Sequence, residues 1–127
     1  MHHEYLIKLD NVHCDVLENS YDYIHITGDA YIKYAFYGYY NRGSVNIDGT
    51  AYVPYVLNEN HNSPLAPEGA VLISLCYTDN KDGIKYDYTR EVLSQVLIPA
   101  VFNDEGNVDV EKFIDIIKSG QSPFDKK

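Results

Sequence analysis

Three glycine-containing turn signals divide residues 21–57 into four short segments, and this spacing constrains the fold more than any other feature of the chain. Gly28-Asp29, Asn41-Arg42-Gly43 and Asp48-Gly49 each separate segments in which apolar and polar side chains alternate. Short loops in which glycine takes positive φ are typical of β-hairpins. The sequence therefore predicts a four-stranded antiparallel meander from Tyr21 to Leu57.

A two-residue hairpin at Gly28-Asp29 assigns the side chains of its two strands to two faces, because directly opposed residues point to the same side of a sheet. We expect the first face to be buried, and it holds Tyr21, Tyr23, His25, Ile32, Tyr34 and Phe36. The other face holds Asp22, Ile24, Ile26, Tyr31, Lys33 and Ala35, and continues to Tyr37 and Tyr39. That second face is either covered by helices or open to a partner. The later turns place Tyr52 beside Val45.

The C-terminal third contains the clearest helix signal. Val110, Phe113, Ile114 and Ile117 form one apolar stripe at helical spacing, preceded by the capping candidates Asn107 and Asp109 and followed by Gly120. Residues 89–98 fit either a helix capped by Thr89 or a strand. No internal repeat is visible.

Together these elements predict one α+β domain over residues 1–120, with residues 121–127 as a loose tail. Further segments that alternate or are continuously apolar raise the expected strand count to between six and eight; they are Glu4–Leu9, Val12–Leu17, Ala70–Tyr77 and Ile84–Tyr88. We expect an antiparallel sheet, strongly twisted or partly closed, with one or two C-terminal helices packed on one face.

Tyrosine and acidic residues dominate the first part of the chain. The 127 residues include 13 tyrosines, no tryptophan and a formal net charge of −9. Residues 1–80 carry ten acids and only three bases. Such a field disfavours nucleic acid and anionic lipid, which bind through cationic side chains, and it attracts basic proteins. The chain also lacks the long apolar run of a membrane span.

The motifs for catalysis, metals and cofactors are all incomplete. Asp104–Phe113 resembles the second half of a calcium loop, but the first and twelfth coordinating positions fall on Val101 and Lys112, where carboxylates are needed. The histidines and cysteines lack the short paired spacing of zinc sites. Ser74 has no glycine elbow around it. The sequence therefore predicts no catalytic residue, no metal, no cofactor and no enzymatic activity.

The two cysteines indicate the compartment. Cys14 and Cys76 both lie in apolar alternating segments and are expected to be buried free thiols, which favours a cytoplasmic protein.

The leading functional hypothesis is a non-enzymatic acidic protein-binding module. Its partner is a basic protein that handles nucleic acid, and the chain occupies it as an inhibitor. In size and charge this matches small acidic inhibitors encoded by phages and other mobile elements. The expected contact residues are Asp22, Asp29 and Asp48 for charge, with Tyr31, Tyr37 and Tyr39 as anchors.

Two alternatives from other classes remain open. A curled sheet or barrel lined by Tyr21, Tyr23, His25 and Tyr34 could enclose a small molecule that stacks on aromatic rings. The same tyrosines could instead form the contact surface of a structural homo-oligomer.

Overall fold

A computed structural model describes residues 6–39, 43–61, 65–76 and 83–125. The strands are β1 (Leu6–Leu9), β2 (Val12–Asn19), β3 (Tyr23–Ile26), β4 (Ala30–Tyr39), β5 (Ser44–Ile47), β6 (Ala51–Tyr52), β7 (Tyr55–Glu59) and β8 (Val71–Ser74). The helices are α1 (Leu93–Val96) and α2 (Val110–Lys118), with 3-10 turns at Arg90–Val92 and Pro99–Val101.

Every pair of named strands is parallel. One sheet has the order β1-β3-β5, and the other has the order β2-β4-β7-β8 with β6 also paired to β4. The chain passes from one sheet to the other and back, so each turn of the chain lies on the previous turn. Paired residues are separated by 16 positions (Tyr55 to Val71) up to 21 positions (Ala30 to Ala51). The fold is a β-solenoid, followed by short helices.

The predicted antiparallel meander is therefore wrong, although the chain does combine strands with two short C-terminal helices. Gly28-Asp29 and Asp48-Gly49 are corners that connect strands of different sheets. His25 pairs with Asn46 and not with Ile32, and Tyr52 pairs with Tyr31 and not with Val45. The signal at Asn41-Arg42 lies outside the described residues. Alternation of apolar and polar side chains is the same in both kinds of sheet, so it cannot reveal the pairing direction.

The first corner is held by side chains that bridge successive coils. The Asn11 Oδ1 atom accepts the backbone N–H of Asp29 at 2.8 Å, and the Asp29 Oδ1 atom accepts that of Thr50 at 2.8 Å. A Cβ atom at Gly28 would lie 3.0 Å from the Asn11 Cγ atom. Gly28 and Gly49 are not among the residues with positive φ. Glycine is needed here because stacked coils approach closely, and not because of a hairpin turn.

The second corner encloses a buried histidine. His61 is 3% exposed, and its Nε2 atom lies 2.6 Å from the Asn19 Oδ1 atom. Its backbone N–H donates to the Asn58 side chain at 2.9 Å. A Cβ atom at Gly38 would lie 2.7 Å from the His61 Cγ atom, so the imidazole fills the space that Gly38 leaves.

The interior of the solenoid is apolar and mostly aliphatic. Its buried residues are Ile24, Ile26, Ala30, Ile32, Phe36, Val45, Val53 and Val56. The expected division of faces is therefore wrong. Tyr21 is 53% exposed and Tyr23 is only half-buried, whereas Ile24 and Ile26 fill the core.

A second core lies between the outer face of the larger sheet and the C-terminal segment. The register of β2 and β4 shifts between Cys14 and Val16, and after this bulge Val16 faces outward beside Ala35, toward the helices. Ala35, Leu57 and Ile73 pack there with residues of the helical segment: Leu93, Leu97, Val101, Phe113, Ile114 and Ile117.

The predicted C-terminal helix is confirmed. The Asp109 Oδ1 atom caps α2 by accepting the backbone N–H of Lys112 at 3.2 Å, and Gly120 follows with a φ of 87°. Residues 89–98 are helical only from Arg90 to Val96, and the chain is extended at Leu97.

Residues 121–125 contact the rest of the fold. Pro123 is buried, its carbonyl accepts the Ile98 N–H at 2.9 Å, and the Phe124 ring centroid lies 4.9 Å from that of Tyr88. The cysteines differ from expectation, because Cys14 is half-buried and Cys76 is exposed. None of the helices formed by the described residues has the length and apolar character needed to cross a membrane.

Candidate functional site

A groove runs between the outer face of the larger sheet and α2. It has a volume of about 790 Å³ and is open to solvent along its length. Strands β2, β4 and β7 supply one wall, and α2 with the residues before it supplies the other. Its lining residues are Val16, Glu18, Tyr37, Tyr39, Glu59, Val108, Asp109, Val110, Glu111, Ile114, Asp115 and Lys118. We call this feature the acidic groove.

The charge of the acidic groove is strongly one-sided. Five of the lining side chains described above are acidic and one, Lys118, is basic. Lys118 is directed toward Tyr34, since its Nζ atom lies 5.9 Å from the centre of that ring. Asp109 caps α2, so Glu18, Glu59, Glu111 and Asp115 are the carboxylates available to a ligand.

Tyr37 and Tyr39 form the aromatic floor of the acidic groove. They are two residues apart on β4 and therefore point to the same side, with ring centroids 4.6 Å apart and planes inclined by 21°. The Tyr37 hydroxyl donates to the Glu59 Oε1 atom at 3.0 Å. Burial and then the negative charge of Glu59 raise the pKa of Tyr37 well above its ordinary value. Tyr37 is thus a neutral hydrogen-bond donor at physiological pH.

This arrangement is suited to a cationic side chain. Carboxylates attract ammonium and guanidinium groups and accept their hydrogen bonds, and tyrosine faces bind the same groups through cation–π contact. The groove is open to solvent and can therefore admit a segment of a protein.

The structure places Asp29 and Tyr31 near the opposite end of β4 from Tyr37 and Tyr39, and neither residue lines the acidic groove. Tyr31 stacks between His13 at 4.6 Å and Tyr52 at 5.0 Å, forming an aromatic ladder across three coils. The Tyr31 hydroxyl lies 3.4 Å from the Asp29 Oδ2 atom, and the charge of Asp29 is the main cause that raises the pKa of Tyr31. Because the ring faces cover one another, the ladder presents mainly ring edges to solvent.

The two other aspartates predicted to contact a partner are also separate. Asp48 lies at the end of the smaller sheet, where its Oδ2 atom is 2.9 Å from the His25 Nε2 atom. Asp22 is exposed in the connection between β2 and β3, where its carbonyl accepts from Asn19. Of the six predicted contact residues, only Tyr37 and Tyr39 line the acidic groove.

The four residues predicted to line a small-molecule site do not share a cavity in the described structure. Tyr21 is exposed before β3, and Tyr23 and His25 lie on the outer side of the smaller sheet. Tyr34 lies on the larger sheet, where the Lys33 Nζ atom is 5.2 Å from its ring centre. None of the four lines the acidic groove.

The carboxylates of the groove were not predicted from the sequence as site residues. Glu111 and Asp115 are four residues apart on α2, on the side away from the apolar stripe, and this spacing was visible in the sequence. Glu18 and Glu59 are 41 positions apart (18 to 59) and converge only because each lies next to β4, Glu18 beside Tyr37 and Glu59 beside Tyr39. Their convergence requires the register of the solenoid.

A smaller cavity of about 440 Å³ adjoins the groove at Glu59 and Val108. It contains Cys76, Arg90 and Ser94, and none of its described lining residues is a histidine that could serve as a base. Across the described ranges, no three His, Cys, Asp or Glu side chains are arranged to hold a metal ion.

Comparison with protein-family models, with curated proteins and with solved structures gives no match. The chemistry of the acidic groove is therefore the basis for a functional assignment.

The raised pKa of Tyr37 predicts a loss of stability in alkali. Because the folded-state pKa exceeds the unfolded value of about 10, the neutral phenol stabilises the fold below that pH, and the contribution declines as pH rises above it. After allowance for partial exposure, we expect up to about 1 kcal/mol of stability to be lost for each pH unit above 10. Measuring the free energy of unfolding in urea at several alkaline pH values gives this pH dependence.

Tyr37→Phe is the matched variant for this measurement. It removes the ionisable hydroxyl and keeps the ring stacked on Tyr39, so its stability should depend less steeply on pH than that of the wild type. Equal slopes for the two proteins would show that Tyr37 is not the group responsible.

Proposed function

We propose that this chain is a non-enzymatic acidic module that binds a basic protein through the acidic groove. The observation that carries the proposal is the convergence of Glu18, Glu59, Glu111 and Asp115 around the stacked rings of Tyr37 and Tyr39. Tyrosine anchors surrounded by charge of one sign are typical of an interface for a partner of opposite charge.

Arginine is the side chain that best fits this site. The flat guanidinium group can stack on the face of a tyrosine ring. Its N–H groups, which lie in the plane, can at the same time donate paired hydrogen bonds to a carboxylate. The rings of Tyr37 and Tyr39 lie directly beside Glu59, so both kinds of contact are offered within one groove. The proposed partner segment is therefore basic and rich in arginine.

Proteins that handle nucleic acid are the partner class that we favour. Neighbouring strands lie about 4.8 Å apart, and Glu18 and Glu59 flank β4 on its two sides, so their negative charges are spread across the coils. Negative charges spaced along the solenoid axis can compete with the phosphates of a nucleic-acid strand for a basic binding surface. The chain would then act as a competitive inhibitor. Its own negative charge argues against direct binding to nucleic acid or to an anionic membrane surface.

We also propose a cytoplasmic location. The exposed thiol of Cys76 and the unpaired state of Cys14 suit a reducing compartment, in which free thiols persist.

Binding of an arginine-rich peptide tests the proposal. We expect affinity that falls steeply between low and moderate salt, and backbone amide NMR shifts that cluster on Tyr37, Tyr39, Glu59 and α2. A lysine peptide of equal length should bind more weakly, and a DNA duplex should not bind. The same salt gradient can elute natural partners captured from a native host extract.

Two results would contradict this function. One is an affinity that ignores salt, and the other is a set of shifts on faces away from the acidic groove. The second result would leave an acidic protein that attracts cations without a specific site.

A further inference from the structure

The two ends of the solenoid differ in whether the edge of the terminal strand is covered by further chain. At the C-terminal end, the segment before Thr89 lies along β8: Ser74 N–H donates to the Tyr88 carbonyl at 2.9 Å, and Asp87 N–H donates to the Leu72 carbonyl at 2.9 Å. Tyr88 also forms a parallel bridge with Ile73. This end of the larger sheet is covered by the chain itself.

The N-terminal end is open. Strand β1 pairs with β3 on one side and, among the described residues, has no strand on the other. Ile7 and Leu9 continue the interior columns of Ile24 and Ile26, yet they are 37% and 40% exposed, whereas Ile26 is fully buried. Leu6, on the outer side, is 68% exposed. Among the described residues, the apolar interior therefore reaches this end of the solenoid without a cover.

The open edge is short and carries Lys8, but it lacks two other features that usually prevent strands from pairing. Strand β1 contains no proline, and its register with β3 runs without a bulge from Leu6 to Leu9. Repeat proteins normally end in capping units with polar outer surfaces, because an uncovered end coil is an association surface.

We propose that two copies of this chain associate head to head, with the β1 edges paired antiparallel across a two-fold axis. The charge distribution favours a second copy as the occupant. The chain carries −9 overall and repels itself, but residues 6–13 hold one lysine, Lys8, and one acid, Asp10, so this end is locally neutral. Like-charge repulsion is therefore smallest where the apolar edge is exposed.

The covered C-terminal edge determines the type of assembly. Head-to-tail stacking would set the first coil, with β1 and β2, on the last coil of a neighbour and extend into a filament, and the β8 edge of that last coil is occupied by the segment up to Tyr88. Two N-terminal ends that meet across a two-fold axis close the assembly at a dimer. His13, an exposed residue at one end of the aromatic ladder, lies at the same end of the solenoid. This inference does not depend on the proposed function of the acidic groove.

Sedimentation and light scattering over a wide concentration range test the dimer with the full chain. We expect a wild-type mass of two chains at high concentration. Leu6→Glu should raise the dimer dissociation constant by at least about tenfold, because the two-fold axis brings one added charge from each copy close together. Leu6 is largely exposed in one copy, so circular dichroism should show an unchanged fold.

Tyr52→Glu is the matched control, since Tyr52 is a comparably exposed apolar residue (52%) on a later coil. It should leave the dissociation constant unchanged. A wild-type chain that stays monomeric at all concentrations, or a dimer that Leu6→Glu does not weaken, would overturn the proposal. A Tyr52→Glu effect as large as that of Leu6→Glu would do the same, because it would place the interface elsewhere.

Discussion

We expect Gly49→Ala to lower the free energy of unfolding by about 3 kcal/mol or more. A Cβ atom at this position would lie 2.8 Å from the carbonyl carbon of Gly28, closer still to its oxygen, and against the Asp29 side chain. The obstacle is backbone in the coil beneath, which cannot move without opening the stack. Gly49 also donates its own N–H to the Gly28 carbonyl at 2.9 Å. A shift that relieves the clash would therefore weaken this bond.

The size of this effect follows from how the corner is built. The side chains of Asn11 and Asp29 each accept a backbone N–H from the next coil, so three coils are joined in a single ladder. Displacing Gly49 moves Thr50 away from Asp29 and leaves hydrogen-bonding groups without partners. A loss of about 3 kcal/mol is a large part of the total stability of a small domain.

Gly120→Asn is the control for a general effect of removing glycine. Gly120 has positive φ, which asparagine tolerates, and nothing lies within 4 Å of a Cβ atom placed there. Urea unfolding of the three proteins by circular dichroism gives the comparison. If Gly49→Ala costs no more than Gly120→Asn, the coils are not stacked at this corner as described.

The same corner explains why local patterns could predict strands but not their arrangement. The alternation in residues 23–26 and 30–39 correctly indicates β-structure, and α2 is predicted with its cap and its buried stripe. Gly28 and Gly49, however, are compatible both with a hairpin and with a tight contact between coils. The hairpin and the coil contact differ only in which residue each glycine approaches. Gly28 and Gly49 approach each other across 21 positions (28 to 49), and such a contact belongs to tertiary structure.

A weak repeat was nevertheless present in the sequence. Asp10-Asn11, Gly28-Asp29 and Gly49-Thr50 occupy equivalent corner positions, and Asn19, Gly38 and Asn58 occupy equivalent positions at the other corner. The intervals vary because loops of different length lie between the strands, and the residue types change from coil to coil. A search for identical residues at a constant interval therefore misses the repeat.

The candidate site was predictable to a similar degree. Tyr37 and Tyr39 were singled out correctly as neighbours on one face of a strand, because that relation is local. Tyr31 was grouped with them by the same alternation and does point outward from the larger sheet, because Ile32 and Phe36 both face the interior, but it lies near the other end of β4 and does not line the acidic groove. The position of α2 against one end of the sheet decides which outward side chains share the groove, and that contact belongs to tertiary structure.

The second large effect concerns the charge of the acidic groove. We expect the double variant Glu111→Lys/Asp115→Lys to weaken binding of the arginine-rich peptide at least about thirtyfold at low salt. Both residues are exposed on α2 and opposite its buried stripe, so the helix should remain folded. The change removes two attractive charges from the groove wall and adds two repulsive ones beside Tyr37 and Tyr39.

A matched control separates this local effect from the overall field. Glu68→Lys/Asp125→Lys changes the net charge by the same amount, and neither residue lines the acidic groove. Long-range attraction of the peptide depends on the net charge of the protein and is screened by salt. Both variants should therefore lose the same modest part of the affinity that this attraction provides. The groove variant alone should lose the contacts that persist at moderate salt. If the two variants lose the same affinity at every salt concentration, the peptide responds only to the net charge of the whole molecule. The acidic groove would then have no specific role.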